Sequence, residues 1–269
     1  MTFSSATAFG RARMRVAPST INLGDVFGTA LTVFSGRFVA YCGALFIGIV
    51  LIAIVAFIAF FAVMRSASGF GADAAALLSS GGFLITIVMS FLAAIAAITT
   101  AHAAICAMAF GDATNRGASL GGAFAYAVAR SPALVGLVIV YALCVMLGFA
   151  ALVIPGLLLL TLFAVALPAC IIEGLGPIES LKRSVALTKG DRWRVLGFLL
   201  VIHVGVGLGV QLVVHLVRMA STPGLSGLVM FPLELIVGAF GPVALTVLYV
   251  QLRAAREGVD VEHIASVFD

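Results

Sequence analysis

Charge is what this sequence has least of. Only 10% of its 269 residues are Asp, Glu, Lys or Arg, where a soluble domain carries about one-quarter. With 63% hydrophobic residues, too little polar surface is left to cover a water-soluble globule of this length, so a soluble enzyme or carrier is excluded and the class is an integral membrane protein. Cysteine is also scarce. Cys42, Cys106, Cys144 and Cys170 form no CxxC pair and all fall in apolar runs, which excludes a zinc ribbon or a disulfide framework and leaves small packing residues. Short alternating segments are absent, which argues against a β-barrel. The first twenty residues, basic and rich in Ser and Ala, lack the apolar stretch of a cleaved signal and read as a disordered tail.

What the sequence has instead is long apolar runs. Crossing about 30 Å of hydrocarbon takes roughly 20 residues of helix, and six runs qualify, at 39–64, 82–110, 132–150, 152–172, 195–217 and 228–252. The first is long enough to need tilt. The third and fourth are joined by almost nothing polar, "LGFAALVIPGLL" (147–158), which predicts a tight helical hairpin with Pro155 in a first helical turn. The fold class expected is all-α and polytopic, with 21–252 as the membrane domain between a tail at 1–20 and a second tail at 253–269. That second tail, carrying Arg253, Arg256, Glu257, Asp260, Glu262 and Asp269, reads as solvated, with docking back onto the basic helices as the alternative.

The few charges are unevenly placed. Arg11, Arg13, Arg15, Arg37, Arg116, Arg130, Lys182, Arg183, Lys189, Arg192, Arg194, Arg253 and Arg256 flank one set of span ends, and only Arg65 and Arg218 the other. By the positive-inside rule this puts both termini in the cytoplasm and the protein in a bacterial inner membrane. The formal net charge of +4 is then a topology signal, and no nucleic-acid-binding pattern accompanies it.

A pattern recurs ahead of spans 1, 3 and 5. "NLGDVFGTALTVFSGRF" (22–38) places Leu23, Val26, Phe27, Ala30, Leu31 and Phe34 on one helical face, with Asn22 at the N-cap and Asp25 at the capping-box position. "SLGGAFAYAVARSPAL" (119–134) repeats this with Ser119 at the cap and Leu120, Ala123, Phe124, Ala127 and Val128 on the face. The third copy, "GPIESLKRSVALTKGDRW" (176–193), has Pro177 in the first turn, a stripe of Ile178, Leu181, Val185 and Thr188, Gly190 at the C-cap and Asp191 as N-cap of the next span. Three parallel units result, about 22–112, 119–173 and 175–252, each an interfacial amphipathic helix plus a transmembrane hairpin. In the third copy Lys182, Arg183, Lys189, Arg192 and Arg194 sit at headgroup height, Trp193 suits an interfacial anchor, and Glu179 and Arg183 are spaced to pair. These are the candidate lipid-headgroup or partner residues; the alternative is that they only enforce topology.

The segment "EGLGPIESLKRSVALTKGDRWRVLGFLL" (173–200) and the ending "LYVQLRAAREGVDVEHI" (248–264) resemble the bacterial inner-membrane proteins grouped as the glycerophosphoryl diester phosphodiesterase membrane domain. The resemblance implies a membrane region that in longer relatives precedes a soluble phosphodiesterase barrel. That barrel is not expected here, since six spans and their connections use the chain, and no His-Arg dipeptide or carboxylate cluster is present to hold its metal.

Ionisable residues inside the spans are the remaining functional pointers, since burying a charge there costs at least ~2.5–3.5 kcal/mol. His102 and His203 each lie about 12 Å from the charged end by residue count and could meet; a neutral histidine bonded to a neighbouring helix is the plainer reading. His215, Arg218 and Glu234 share a depth near the opposite end and could form a cluster or a salt bridge. Asp112 and Glu173 end spans 2 and 4 and are placed to pair with basic residues of the amphipathic helices. Gly205 and Gly209 read as close helix contact, and Pro168 and Pro242 as kinks. No metal or cofactor is expected. The leading expectation is a non-catalytic module that binds membrane lipids, anionic ones included, or a membrane or cytoplasmic protein partner, and no nucleic acid. A transporter or translocator of a lipid or small amphiphile is the alternative, and an intramembrane enzyme a second.

Overall fold

The computed structural model describes residues 22–67, 81–114, 116–220 and 223–257. All regular structure among them is helical, and six helices are long and apolar enough to cross a membrane: Phe38–Arg65, Gly81–Ala113, Ser131–Ala151, Val153–Ile172, Arg192–Val217 and Met230–Glu257. The protein is an all-α, multi-pass membrane protein. Its elements in order are α1 (Leu23–Gly36), α2 (Phe38–Ala67), α3 (Gly81–Ala113), α4 (Leu120–Ala129), α5 (Ser131–Ala151), α6 (Val153–Leu162), α7 (Ala166–Ile172), α8 (Pro177–Thr188), α9 (Arg192–Leu200), a π-helical turn (Val201–Val206), α10 (Gly207–Ala220) and α11 (Pro223–Glu257). A short helix precedes each of the pairs formed by spans 1–2, 3–4 and 5–6.

Local chemistry sets the boundaries. Asn22 caps α1 by accepting from the Gly24 N–H at 3.0 Å, and Ser119 caps α4 by accepting from Gly122 at 3.1 Å, each satisfying a free first-turn donor. Pro177 opens α8, and Gly190 follows it with φ of 92°, in the left-handed region that glycine enters at no steric cost. A side chain at Gly190 would also run into the Arg256 guanidinium. Only Leu152 separates α5 from α6. The hairpin closes so tightly there that a Cβ on Gly148 would stand 3.1 Å from the Gly156 Cα.

Packing is concentrated along α3 and α11. α3 packs against α2, α4, α5, α7 and α11, and α11 against α1, α2, α8 and α10 as well. The shared core is fine-grained: Ala101, Ala103, Ala104, Ala109, Ala239 and Ala244 are all buried. Small side chains let helix backbones approach where hydrocarbon offers no hydrophobic drive for association. Gly48 meets Ala101 and Gly238 meets Leu45 at such approaches. Gly205 and Gly209, expected to do this, are exposed with no neighbour within 4 Å of an added Cβ.

Span 4 is broken. Phe163–Val165 leaves the helix just ahead of Pro168, which has no N–H and whose ring crowds the preceding turn. The break is filled from α8. Ser184, fully buried, donates its hydroxyl to the Leu162 carbonyl at 2.7 Å and accepts from the Val165 N–H at 3.2 Å. The buried stripe of α8 is therefore Ser180, Leu181, Ser184, Leu187 and Thr188. The expected stripe is corrected, since Ile178 is exposed and hydroxyls are drawn to unsatisfied main chain. Pro242, expected to kink span 6, lies inside a continuous α11, as does Pro232. In the π-turn of span 5, the His203 ring Nδ1 lies 3.0 Å from Leu199 O.

Candidate functional site

Among the described residues, the ion pairs of Asp112, Glu173, Asp191 and Glu257 gather at one end of the bundle, where spans 2, 4 and 6 finish. Arg37 occupies the junction between α1 and α2. Its guanidinium holds the Asp112 carboxylate at the end of α3 at 2.9 Å and the Ala118 carbonyl at 2.7 Å. Tyr41, one turn into span 1 and fully buried, donates to the other Asp112 oxygen at 2.5 Å. One carboxylate thus ties the start of span 1 to the end of span 2 and to the linker that follows.

The corresponding acid of span 4, Glu173, sits in a closed ring of five groups. Arg183 on α8 donates from Nε to both Glu173 oxygens at 2.7 and 2.9 Å, and from another nitrogen to Glu257. Glu257 accepts from Arg253 Nε at 2.8 Å, Arg253 donates to the Tyr249 hydroxyl at 3.3 Å, and Tyr249 donates back to Glu173 at 2.6 Å. Two carboxylates balance two guanidiniums, and every link is charge-assisted. Burial alone would lower the Arg183 pKa, but the hydrogen bonds and charges of Glu173 and Glu257 outweigh it and hold the group further into its cationic form. The ring ties α7, α8 and the end of α11 together.

Asp191 supplies a further tie. It stands at the N-cap position of α9 without making a side-chain cap bond. Its carboxylate is taken instead by Arg194 at 2.9 Å and Arg256 at 3.2 Å. Arg253, Arg256 and Glu257, expected in a solvated tail, are therefore helical and paired; residues 258–269 lie outside the described residues, as do Arg11, Arg13 and Arg15. Arg130, at the α4–α5 junction, donates to the Gly174 carbonyl at 2.5 Å and the Leu175 carbonyl at 3.0 Å, while its Nε is buried without a partner.

The six candidate headgroup residues divide into two groups. Arg183 and Arg194 are paired to acids of the protein itself, Arg194 while remaining exposed. Arg183 passes over Glu179, four residues before it, because Glu173 offers both oxygens and Glu257 adds a third. Lys182, Lys189 and Arg192 are exposed with no ion-pair partner among the described residues, and Trp193 beside them is 80% exposed. Lys182 and Lys189 stand seven residues apart, two turns along α8, and Arg192 and Trp193 follow at the start of the next span.

His102 is half-buried on α3, whereas His203 is exposed and occupied by its own helix. Glu234 and His215 are both exposed, and the Arg218 side chain lies outside the described residues. Among the described residues no three His, Cys, Asp or Glu side chains gather closely enough to hold a metal ion. Sequence reasoning missed Tyr41, Tyr249 and Ser184. A signal for the tyrosines was present: Tyr41, Tyr126 and Tyr249 each stand four residues from an arginine, one helical turn. Tyr126 likewise donates to the Ile171 carbonyl, at 3.0 Å.

A family model described as domain of unknown function (DUF7847) matches residues 74–256, and the chain belongs to that family. No curated protein and no solved structure matches it. The matched family does not carry the name of the glycerophosphoryl diester phosphodiesterase membrane domain that the 173–200 segment resembles.

Proposed function

Starting from a family defined by sequence and not by activity, we propose that this protein is a non-catalytic membrane module that binds anionic lipid headgroups at the charged end of its bundle. One observation carries the reading. Asp112, Glu173, Asp191 and Glu257 are neutralised by arginines from within, while Lys182, Lys189 and Arg192 are left outward beside an exposed Trp193. Cations that served only internal structure would be paired. A cationic face with an interfacial indole suits a phosphate-rich surface. The excess of Lys and Arg at this end supports a cytoplasmic, bacterial inner-membrane orientation for it, and the likeness to a phosphodiesterase membrane region fits a lipid-facing role.

The same reading takes the chain as three parallel units. Arg37 and Arg130 each end a short helix and stand at the start of a span, with φ of −134° and −99°; in the third unit Lys189 ends the short helix and Asp191, two residues on, stands at the N-cap of the span. The linkers after spans 2 and 4 each turn through a positive-φ glycine, Gly117 and Gly174, and each is held by the junction arginine of its own unit. Translocation of a lipid or small amphiphile is the second reading, supported by the broken span 4 and the π-turn in span 5, since freed main-chain groups are what transporters use. An enzyme built on Glu234, His215 and Arg218 draws no support from the geometry.

The test is native mass spectrometry of the detergent-purified protein against a Lys182/Lys189/Arg192→Gln variant. Arg183 stays in place because it holds the fold. Each cation near an anionic surface contributes about 1 kcal/mol, so the variant is expected to lose roughly a hundredfold in affinity for an anionic lipid and little for a zwitterionic one. Equal retention by both proteins, or none by either, removes the lipid reading and leaves topology or a protein partner as the role of these charges.

A further inference from the structure

α8 is seated by two adjacent residues and bracketed by two glycines. Arg183 carries the ionic clamp to Glu173 and Glu257, and Ser184 fills the break in span 4. Before the helix stands Gly174 at φ 68°, and after it Gly190 at φ 92°, both backbone positions where the chain can change direction. The seated face is mostly hydroxyl: Ser180, Ser184 and Thr188 are fully buried, with Leu181 and Leu187 as its large apolar residues. Thr188 bonds to its own helix, to Ser184 O at 2.9 Å, and Ser180 to Gly176 O at 2.6 Å with the Cys170 thiol of α7 as a further hydrogen-bond partner. Such a face adheres weakly, because water can replace what the seat supplies.

From this we infer that α8 is a removable plug over the break in span 4, latched by the Arg183 clamp. Unseating it uncovers the Leu162 carbonyl and the Val165 N–H. That acceptor and donor now bracket a single hydroxyl oxygen, and once free they suit a water or the hydroxyl of an amphiphile. The inference stands apart from the lipid-binding reading, since Lys182, Lys189 and Arg192 play no part in the latch.

The test is the rate at which a water-soluble maleimide labels Ser180→Cys in the full-length protein in lipid nanodiscs, with labelled positions resolved by peptide mass. Ser180 is chosen because replacing it leaves the Ser184 contacts intact; Ser184→Cys is the second probe. Each probe is measured alone and with the clamp cut by Glu257→Gln or by Glu173→Gln, the two partners of Arg183. The loss of a charge-assisted contact shifts the seated–unseated equilibrium, so labelling is expected to rise about tenfold or more, while the core Cys106, 0% exposed, stays protected. Two results overturn the plug. One is labelling at both probes that is indifferent to either clamp variant. The other is acceleration matched at Cys106, which would mean that the whole bundle loosens.

Discussion

α3 lies in two environments. From Thr99 to Gly111 most of its side chains are buried, whereas Leu84, Ile85, Ile87, Val88, Met89 and Phe91 in its first half are exposed. α11 shows the same contrast in reverse order: Phe231 and Glu234 are exposed, and Ala239 to Leu252 is nearly all buried. Both helices pack at the charged end and face outward at the other. Apolar residues run through both halves, so hydrophobicity does not decide which half packs. Close approach of small side chains decides it, together with polar clamps, the two terms that still act where lipid tails are as apolar as leucine.

The contrast is tested hardest by cutting the clamp that only one half has. Arg183→Gln removes the cation shared by Glu173 and Glu257 and leaves two partly buried carboxylates facing each other. Removing one partner of a fully buried pair costs 3–5 kcal/mol; with side chains 25%, 16% and 28% exposed, about 2–3 kcal/mol of stability is expected to go. Thermal unfolding in lipid nanodiscs measures it. A loss under about 0.5 kcal/mol, the scale of a surface change, would mean that the clamp contributes nothing to holding the half together.

Close approach is tested next, with one substitution at two places on α2. A Cβ on Gly48 would stand 2.5 Å from the Ala101 Cβ, while one on Gly43 meets nothing within 4 Å. Gly48→Ala is expected to cost about 1–3 kcal/mol by overpacking, and Gly43→Ala to stabilise by about 0.5–1 kcal/mol through helix propensity. Opposite signs in the same assay confirm that contact at Ala101 holds these helices; equal effects would show that the backbones can part freely.

How much of this was legible beforehand follows the same division. The six spans, the one-residue hairpin link at Leu152 and the Asn22 and Ser119 caps are local features, fixed by run length and by residues adjacent in sequence. The gathering of charge at one end was readable from the positions of Lys and Arg. Which acid each arginine takes was not: Arg183 reaches ten residues back to Glu173 and 74 on to Glu257, and no spacing rule ranks those above Glu179. Of the expected α8 stripe, Leu181 and Thr188 are buried, Val185 is half-buried and Ile178 is exposed; Ser180 and Ser184 were missed because apolar periodicity assumes an apolar seat, and part of this seat is a broken main chain. Gly205 and Gly209 carry a spacing that permits close contact, but spacing alone does not say which face of a helix meets a neighbour.

A smaller effect separates the two tyrosines from their surroundings. Tyr249→Phe keeps the buried ring and removes one donor to Glu173, which retains Arg183. It is expected to cost about 1 kcal/mol. Tyr41→Phe should cost the same, because Asp112 likewise keeps its arginine. Unfolding melts on the single and paired variants check this. Simple additivity is expected, since the two hydroxyls serve different carboxylates; a coupling above about 0.5 kcal/mol would join the two clamps into one network.

The smallest effect is expected at the other end of the molecule. Glu234→Gln changes an acid that is exposed on α11, so stability should move by no more than about 0.5 kcal/mol. Glu173→Gln, the same chemical change in the packed half, should lose much of the clamp. The pair therefore measures the contrast directly. A large loss at Glu234 would mean that the surface around it is covered in the membrane, because a carboxylate facing only acyl chains gains by losing its charge and would be stabilised by the glutamine. The sign at this one position distinguishes hydrocarbon, for which the change is neutral or favourable, from a polar contact with a second copy or another protein, for which it is costly.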